Sequence, residues 1–312
     1  MHRSGPAPRR VLAHAKVNLF LAVGPRRPDG FHEVTTVLQA LGLADEIEVR
    51  LTSGSGTTLE REVDIGVAPE QDLAFRAAEA WRAVTGYGAG IDIRLAKRIP
   101  IGAGLGGGSS DAAGVLAALR AWHADGPGIE APILGVARTL GADVPFFLGA
   151  GTQLMAGRGD EPVRTLRTPR LHITLVNPGV AVPTAAAYAQ FDRDPVPPPP
   201  GPEAMVQAVA DDVARGIAVR LYNNMTQASC ALVPEIRGAL RFLEDASGVL
   251  GSAMAGSGSS VFGIFENEAS ARAAAHAASA HGWWSQATVT AAQGVDIASD
   301  ESQSSEGSGV PK

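Results

Sequence analysis

The sequence predicts a mixed α/β protein with room for two domains, arranged around an anion-binding turn. Three observations carry this. The chain has 312 residues, 45% of them apolar and 19% charged, enough for a sizeable core and for two domains of ordinary size. Runs with a two-residue period are interspersed with runs at three- and four-residue spacing. Where one such strand hands over to a helix stands Pro100 to Ser110, PIGAGLGGGSS, in which five of eleven residues are glycine.

From the N-terminus, Val11, Ala13, Ala15, Val17, Leu19, Leu21 and Val23 fall on one face of a strand, and His14, Lys16 and Asn18 on the other. The turn Pro28 to Gly30 reverses the chain before Phe31 and His32. A second strand follows at Ile47, Val49 and Leu51, so a mostly antiparallel sheet is expected. Asp72 to Val84 has helical spacing, and Ile91, Ile93 and Leu95 alternate again just before the glycine-rich segment. Ala112, Val115, Leu116, Leu119 and Trp122 mark the helix after it, and Ile133 to Leu140 a second helix that Gly141 stops.

Beyond about Leu166 a new unit is expected. It has a strand at Leu171 to Val176, a helical stretch from Thr184 to Tyr188 and a rigid proline run, Pro197 to Pro200. Helices at Glu203 to Arg215 and Pro234 to Asp245 follow, then a GSGSS turn at Gly256, a strand Val261 to Phe265, a helix Glu268 to His281 and a strand around Ala287 to Thr290. No internal repeat is visible. The polar, small-residue stretch past Asp300 is expected to be disordered.

Composition narrows the function. A net charge of -6 and a pI near 5.7 leave no broad basic footprint for nucleic acid. No stretch approaches the roughly 20 apolar residues of a membrane span, and the basic start MHRSGPAPRR leads into no signal-type apolar core. The single cysteine, Cys230, has no internal disulfide partner and fits a reducing, cytoplasmic compartment. His2, His123, His172 and His281 lack zinc-like spacing, so no protein-built metal site is expected.

The glycine-rich segment carries the chemistry. Pro100, Ile101, Gly102, Ala103, Gly104, Leu105, Gly106, Gly107 and Gly108 can bring main-chain N–H groups close to an anion without Cβ interference, and the following helix start adds partial positive charge. Ser109 or Ser110 can cap that helix and offer a hydroxyl to phosphate, or to a metal that phosphate holds. Gly102 to Gly107 formally match G-x-G-x-x-G. The chain then runs into a second helix instead of the parallel strand that a dinucleotide fold requires. There is no G-x-x-x-x-G-K-[ST] of a P-loop enzyme and no H-R-D or D-F-G of a protein kinase.

Four segments, AKVNLFLAVGPRRPDGFHEV, PIGAGLGGGSSDAAGVLAAL, LGADVPFFL and AMAGSGSSVF, occur in the order and at about the spacing of the galactokinase, homoserine kinase, mevalonate kinase and phosphomevalonate kinase superfamily. The chain resembles that superfamily from about Val11 to about Thr290, most closely the branch whose acceptor is diphosphocytidyl methylerythritol. The resemblance implies an α+β fold of two domains: an ATP-binding and catalytic domain over 11–166 and a ferredoxin-like, substrate-side domain over 167–295, with the active site between them. Residues 1–10 are then an extension and 296–312 a disordered tail. It further implies transfer of the ATP γ-phosphoryl group to the acceptor's 2-hydroxyl, with Mg²⁺ carried mainly by the nucleotide.

The same resemblance distributes roles. Asp143 would orient the acceptor hydroxyl and take its proton, while Lys16 offsets charge gathering on the phosphoryl group. Asn18, Phe31 and His32 would line the acceptor pocket, with His32 hydrogen-bonding the cytosine; Tyr188, on the same segment as Thr184, would stack on it, and Gly256 and Ser257 would close the cleft. Asp72 stands where many relatives have an adenosine-side asparagine, Phe31 where tyrosine is frequent, and Asn223-Asn224 where Asn-Asp is usual. Taken singly, Asp143 could cap a short helix ahead of Pro145, and Lys16 could be a solvated residue on an edge strand. A related kinase with a homoserine or mevalonate acceptor, and a nucleotide-binding regulator without turnover, are the alternatives.

Overall fold

The computed structural model describes residues 6–122, 130–194, 197 and 199–298. His2, His123, Pro198 of the expected proline run and the expected tail past residue 298 lie outside these. The N-terminal unit holds β1 (Arg9–Arg26), β2 (His32–Thr52), β3 (Thr57–Arg61), α1 (Leu73–Thr85), β4 (Gly90–Ala96), α2 (Gly107–Trp122), α3 (Glu130–Leu140), α4 (Val144–Phe147), β5 (Thr152–Ala156) and β6 (Glu161–Thr165). The second unit holds β7 (His172–Asn177), α5 (Thr184–Arg193), α6 (Glu203–Ala210), α7 (Ala214–Ala218), β8 (Tyr222–Asn223), α8 (Thr226–Leu232), α9 (Glu235–Glu244), β9 (Val249–Met254), β10 (Val261–Phe265), α10 (Glu268–Ala280) and β11 (Trp284–Val289), and the chain ends its described part in β12 (Val295–Ile297).

The first sheet runs β12-β1-β2-β4-β3, with β5 and β6 continuing from β2 and β8 joining β1. Its pairings are antiparallel except β3 with β4 and β8 with β1. The second is fully antiparallel in the order β11-β7-β10-β9. With α9 and α10 as its crossovers, that order is the βαββαβ ferredoxin-like sandwich. The α+β class and its ferredoxin-like half therefore hold.

Local chemistry sets the helix ends. Asp72 accepts from Ala74 N to start α1, Gly86 ends it at φ 70°, and Asn267 accepts from Ser270 N to start α10. The helix expected from Glu203 to Arg215 is broken into α6 and α7, because Asp212 takes φ 55°, a left-handed conformation that aspartate tolerates and a helix cannot continue through.

The single apolar face read for β1 serves three cores. Val11 and Ala13 pack with α1 to α4, Ala15, Val17 and Leu19 with the second unit's Leu171, Ile173 and Phe262, and Leu21 and Val23 with the cluster that includes α8 and α9. Register shifts between His14 and Lys16, and between Asn18 and Phe20, re-aim the strand along its length. The opposite face is not solvated: His14, Lys16 and Asn18 are all buried.

Two expected boundaries need correction. Arg9 and Arg10 already belong to β1, paired with Val49 and Glu48. Asp296 and Ile297, placed in the tail by sequence, pair with Leu12 and Val11, and Asp296 Oδ2 lies 2.9 Å from His14 Nε2. This returning segment crosses the first unit at glycines. Ala291 N donates to Ala40 O and Gly151 N to Ala292 O, each at 2.8 Å. A Cβ on Gly151 would stand 1.9 Å from Ala291 O, where only backbone could yield. We therefore expect Gly151→Ala to lower unfolding stability by about 3 kcal/mol or more. Chemical denaturation checks this, and an unchanged midpoint would contradict the crossing described here.

Candidate active site

The glycine-rich segment forms the loop between β4 and α2. Gly102, Gly104 and Gly106 take φ of 65°, 79° and 76°, conformations that L side chains rarely adopt. A Cβ on Gly104 would lie 2.6 Å from Ala255 O and 2.8 Å from Gly258 O, and one on Gly106 would lie 2.9 Å from Lys16 Cγ and from Phe147 Cζ. Pro100 and Ile101 open the loop, with Ile101 exposed, while Ala103 and Leu105 anchor it in the inter-unit core. Ala103 O accepts from Ser260 N at 3.2 Å and Leu105 O from Lys16 N at 2.9 Å.

The loop ends in α2, whose first turn leaves N–H groups without helical partners. Ser109 and Ser110 do not cap α2: the helix takes in Gly107 and Gly108 ahead of them, so both serines lie in its first turn. Ser110 is fully buried with Oγ unpartnered, facing inward. Ser109 Oγ lies 3.4 Å from the position of a Gly141 Cβ, which puts it beside the segment leading to Asp143.

Lys16 and Asp143 meet at this loop, Nζ to Oδ2 at 3.3 Å, with side chains 5% and 32% exposed. Asp143 occupies the N-cap position of α4 yet makes no capping bond, which leaves its carboxylate to Lys16 and the cleft. Lys16 is buried, not solvated: its strand pairs with β2 at Ala40 on one side, and on the other its N–H donates to Leu105 O of the loop.

Asn18 lies beneath the pocket rather than in its wall. It is 3% exposed, its Oδ1 accepts from Lys16 Nζ at 3.2 Å and from Gly256 N at 2.9 Å, and its Nδ2 donates to Thr36 Oγ1 at 2.9 Å. With all its polar atoms engaged, it orients Lys16 and fastens the Gly256 turn. Asp72 has structural partners of its own: Oδ1 caps α1 and Oδ2 pairs with Arg61 at 3.1 Å. Thr184 Oγ1 and Ser257 Oγ, 3.3 Å apart, join α5 to the Gly256 turn.

A cavity of about 680 Å³ is lined by Phe31, His32, Thr184 and Tyr188, with Gly141 and Ala142 just before Asp143. His32 and Tyr188 rings have centroids 5.2 Å apart, and Phe31 is 53% exposed beneath the Arg158 guanidinium at 4.8 Å. Burial, with Asp143 adding to it, pushes the Tyr188 hydroxyl up to about 12, so Tyr188 senses the Asp143 charge. The cavity also holds Arg26, Arg138 and Asp192, none of which sequence reasoning singled out. Asp160 fixes Arg158 through Nη2 at 3.0 Å. Among the described residues Arg26 and Arg138 have no acidic partner.

Behind the loop, Lys97 Nζ lies 2.5 Å from Asp45 Oδ2 and 2.6 Å from Asp111 Oδ2. Asp45 Oδ1 also accepts from Arg98 N and Ile99 N at 2.5 and 2.8 Å, holding the approach to Pro100. Burial pushes Asp111 up to about 8 against the pull of Lys97, and its Oδ1 has no partner. Burial works against the Lys97 charge, but Asp111 and Asp45 outweigh it and raise its pKa. Asp111 was visible in GGGSSD, but nothing in the sequence linked it to residues 45 and 97.

Known proteins resemble this chain in sequence and in fold. Residues 72–151 match the family described as GHMP kinases N terminal domain, and 209–282 match GHMP kinases C terminal. A 4-diphosphocytidyl-2-C-methyl-D-erythritol kinase of Desulfitobacterium hafniense is 40% identical over 258 residues, covering 83% of this chain and 87% of that protein. One from Thermus thermophilus is 41% identical, covering 87% and 93%. A crystal structure of 4-(cytidine 5'-diphospho)-2C-methyl-D-erythritol kinase superposes with a TM-score of 0.76 at 37% identity, over 90% of this chain and 98% of that one. Homoserine kinase from Cytophaga hutchinsonii shares the fold, with a TM-score of 0.72 at 19% identity.

The buried triad makes stability depend on pH. Burial on folding takes the Asp111 carboxyl from its ordinary value of 3.8 up to about 8. A folded pKa above the unfolded one stabilises fully below the lower value, and that contribution is lost as pH rises through the upper one. Asp111→Asn cannot titrate. Between pH 5 and pH 8 the wild type should lose stability relative to this variant, with a slope approaching about 1.4 kcal/mol per pH unit. Paired denaturation curves measure it, and a difference that stays flat with pH would refute it.

Proposed function

Because the chain belongs to the 4-diphosphocytidyl-2-C-methyl-D-erythritol kinases of the GHMP kinase family, we propose that it moves the γ-phosphoryl group of ATP to the 2-hydroxyl of that acceptor, giving the 2-phosphate and ADP. The observation that carries this is the Lys16 to Asp143 contact of 3.3 Å, with Asp143 free of the cap it could have made. The nucleotide phosphates rest on the N–H groups of the Gly102 to Gly108 loop and the start of α2. Asp143 sets the attacking hydroxyl in line and accepts its proton. Lys16, buried and steered by Asn18, offsets negative charge on the transferring group, which in a loose transition state is much of what catalysis requires.

The cavity beside Asp143 suits the rest of the acceptor. Tyr188, Phe31 and His32 offer ring faces and an edge to a base. Arg26 and Arg138, lacking acidic partners among the described residues, are the cations available to the diphosphate. No three His, Cys, Asp or Glu side chains cluster to hold a metal among the described residues. Mg²⁺ would supply further charge neutralisation on the phosphates, with Asp143 and Ser109 as the cleft-side oxygen donors.

We place the phosphate-gripping and catalytic parts in the N-terminal unit, and the base-facing helix α5 and the Gly256 turn in the second. No helix among the described residues is long and apolar enough to cross a membrane. A small-molecule acceptor, with neither nucleic acid nor membrane as partner, completes the reading. ADP release with ATP, Mg²⁺ and the diphosphocytidyl acceptor tests the whole. Asp143→Ala and Lys16→Ala should each fold and each lose roughly 10²- to 10⁴-fold in kcat. Near-normal turnover in both would overturn the assignment.

A further inference from the structure

Asn223 and Asn224, which the phosphoryl-transfer chemistry leaves unused, close the short strand β8 against β1, where Asn223 pairs with Leu21. The Asn223 side chain directs both hydrogens of its amide to the turn after β9: Nδ2 donates to Met254 O and to Gly256 O, each at 2.8 Å. Its Oδ1 accepts from Met225 N at 2.9 Å, just ahead of α8. The Asn224 amide faces β1 instead. There Oδ1 accepts from Val23 N at 2.9 Å and Nδ2 donates to Val23 O at 2.8 Å. Two adjacent amides thus hold different parts of the molecule.

Gly256 stands between Asn223 and the Lys16 to Asp143 pair. Its O is held by Asn223, and its N donates at 2.9 Å to Asn18 Oδ1, the same oxygen that accepts from Lys16 Nζ at 3.2 Å. Gly256 takes φ 58°, and a Cβ there would lie 3.3 Å from Gly104 O and 3.4 Å from Lys16 Nζ, so the turn rests directly against the glycine-rich loop and the lysine ammonium. We infer that Asn223 is a positioning residue for phosphoryl transfer: through Gly256 and Asn18 it fixes where Lys16 Nζ stands opposite Asp143. Polarity does this. An amide nitrogen draws two carbonyls in to one point and so sets the Gly256 N–H at Asn18 Oδ1, whereas a carboxylate of the same shape has no hydrogen to offer and repels both carbonyls. The turn has other supports, Ser229 Oγ on Ser257 O at 2.8 Å and Ala255 N on Ser260 O at 2.9 Å. Loss of the Asn223 grip therefore shifts Gly256 without unmaking the turn.

This deepens the proposed function and rests on it. Asn223→Asp and Asn224→Asp make the same isosteric change at neighbouring residues: each keeps the Oδ1 acceptor, bonded to Met225 N or to Val23 N, and removes the Nδ2 donor. Asn223→Asp should lower kcat roughly 10- to 100-fold, the scale of a displacement on the order of 1 Å at the reacting groups, while KM for the acceptor stays within about 3-fold of wild type. Asn224→Asp, whose bonds reach neither Gly256 nor Lys16, should keep kcat within about 3-fold. Should the Asn223→Asp chain not fold, Asn223→Ala, which adds no charge, carries the same expectations. Wild-type kcat at residue 223 overturns the inference, and so does an equal loss in Asn224→Asp, since that loss would belong to β8 as a whole. A crystal structure of the residue 223 variant tests the positioning without turnover. Lys16 Nζ and Asp143 Oδ2 should stand more than about 4 Å apart, beyond ion-pair reach, and a pair still in contact overturns the inference. If the wild type makes no ADP with the full acceptor while the pair parts in the variant, the positioning stands and the kinase assignment falls.

Discussion

Close backbone approach at the glycine-rich loop is the constraint on which the rest of the cleft depends. The loop is gripped from two sides, by the carbonyls of Ala255 and Gly258 at Gly104 and by Lys16 and Phe147 at Gly106. Ile99, Ala103 and Leu105 root it in the core shared by the two units. Glycine here does not confer looseness. It removes the atoms that would keep β1, α4 and the Gly256 turn from meeting, and packing offsets the entropy of ordering the loop.

Electrostatics follow from that packing. Since burial of an unpaired charge is costly, every ionised group near the loop is either paired or faces the cleft. Lys16 has Asn18 and Asp143, Lys97 has two aspartates, and Arg158 has Asp160. With Asp111 holding its proton near neutral pH, Lys97 and Asp45 balance, and the start of α2 keeps its positive potential for an anion. Arg26 and Arg138 lie further out along the cavity.

Much of this was legible in the sequence. The alternating residues of β1 and the strand–loop–helix order around Pro100 to Ser110 follow from periodicity and turn chemistry, and the ferredoxin-like half only from the family-like motif order. The misread details share one cause: a residue type announces a capability, not which atom claims it. Asn18 and Asp72 carry groups a ligand could use, but neighbours far along the chain engage them. Ser109 and Ser110 resemble caps, yet two glycines before them enter the helix. The Asp45, Lys97 and Asp111 triad gains meaning only through three-dimensional proximity, and no local pattern encodes that.

The short strand β12 sits beside β1 although the whole second unit intervenes between them in sequence, and β8 docks further along the same edge of β1, opposite β2. The two units are therefore laced together at several points rather than joined by one linker. A clamshell motion about a single hinge would have to unzip those ladders and lift Gly294 off Phe147.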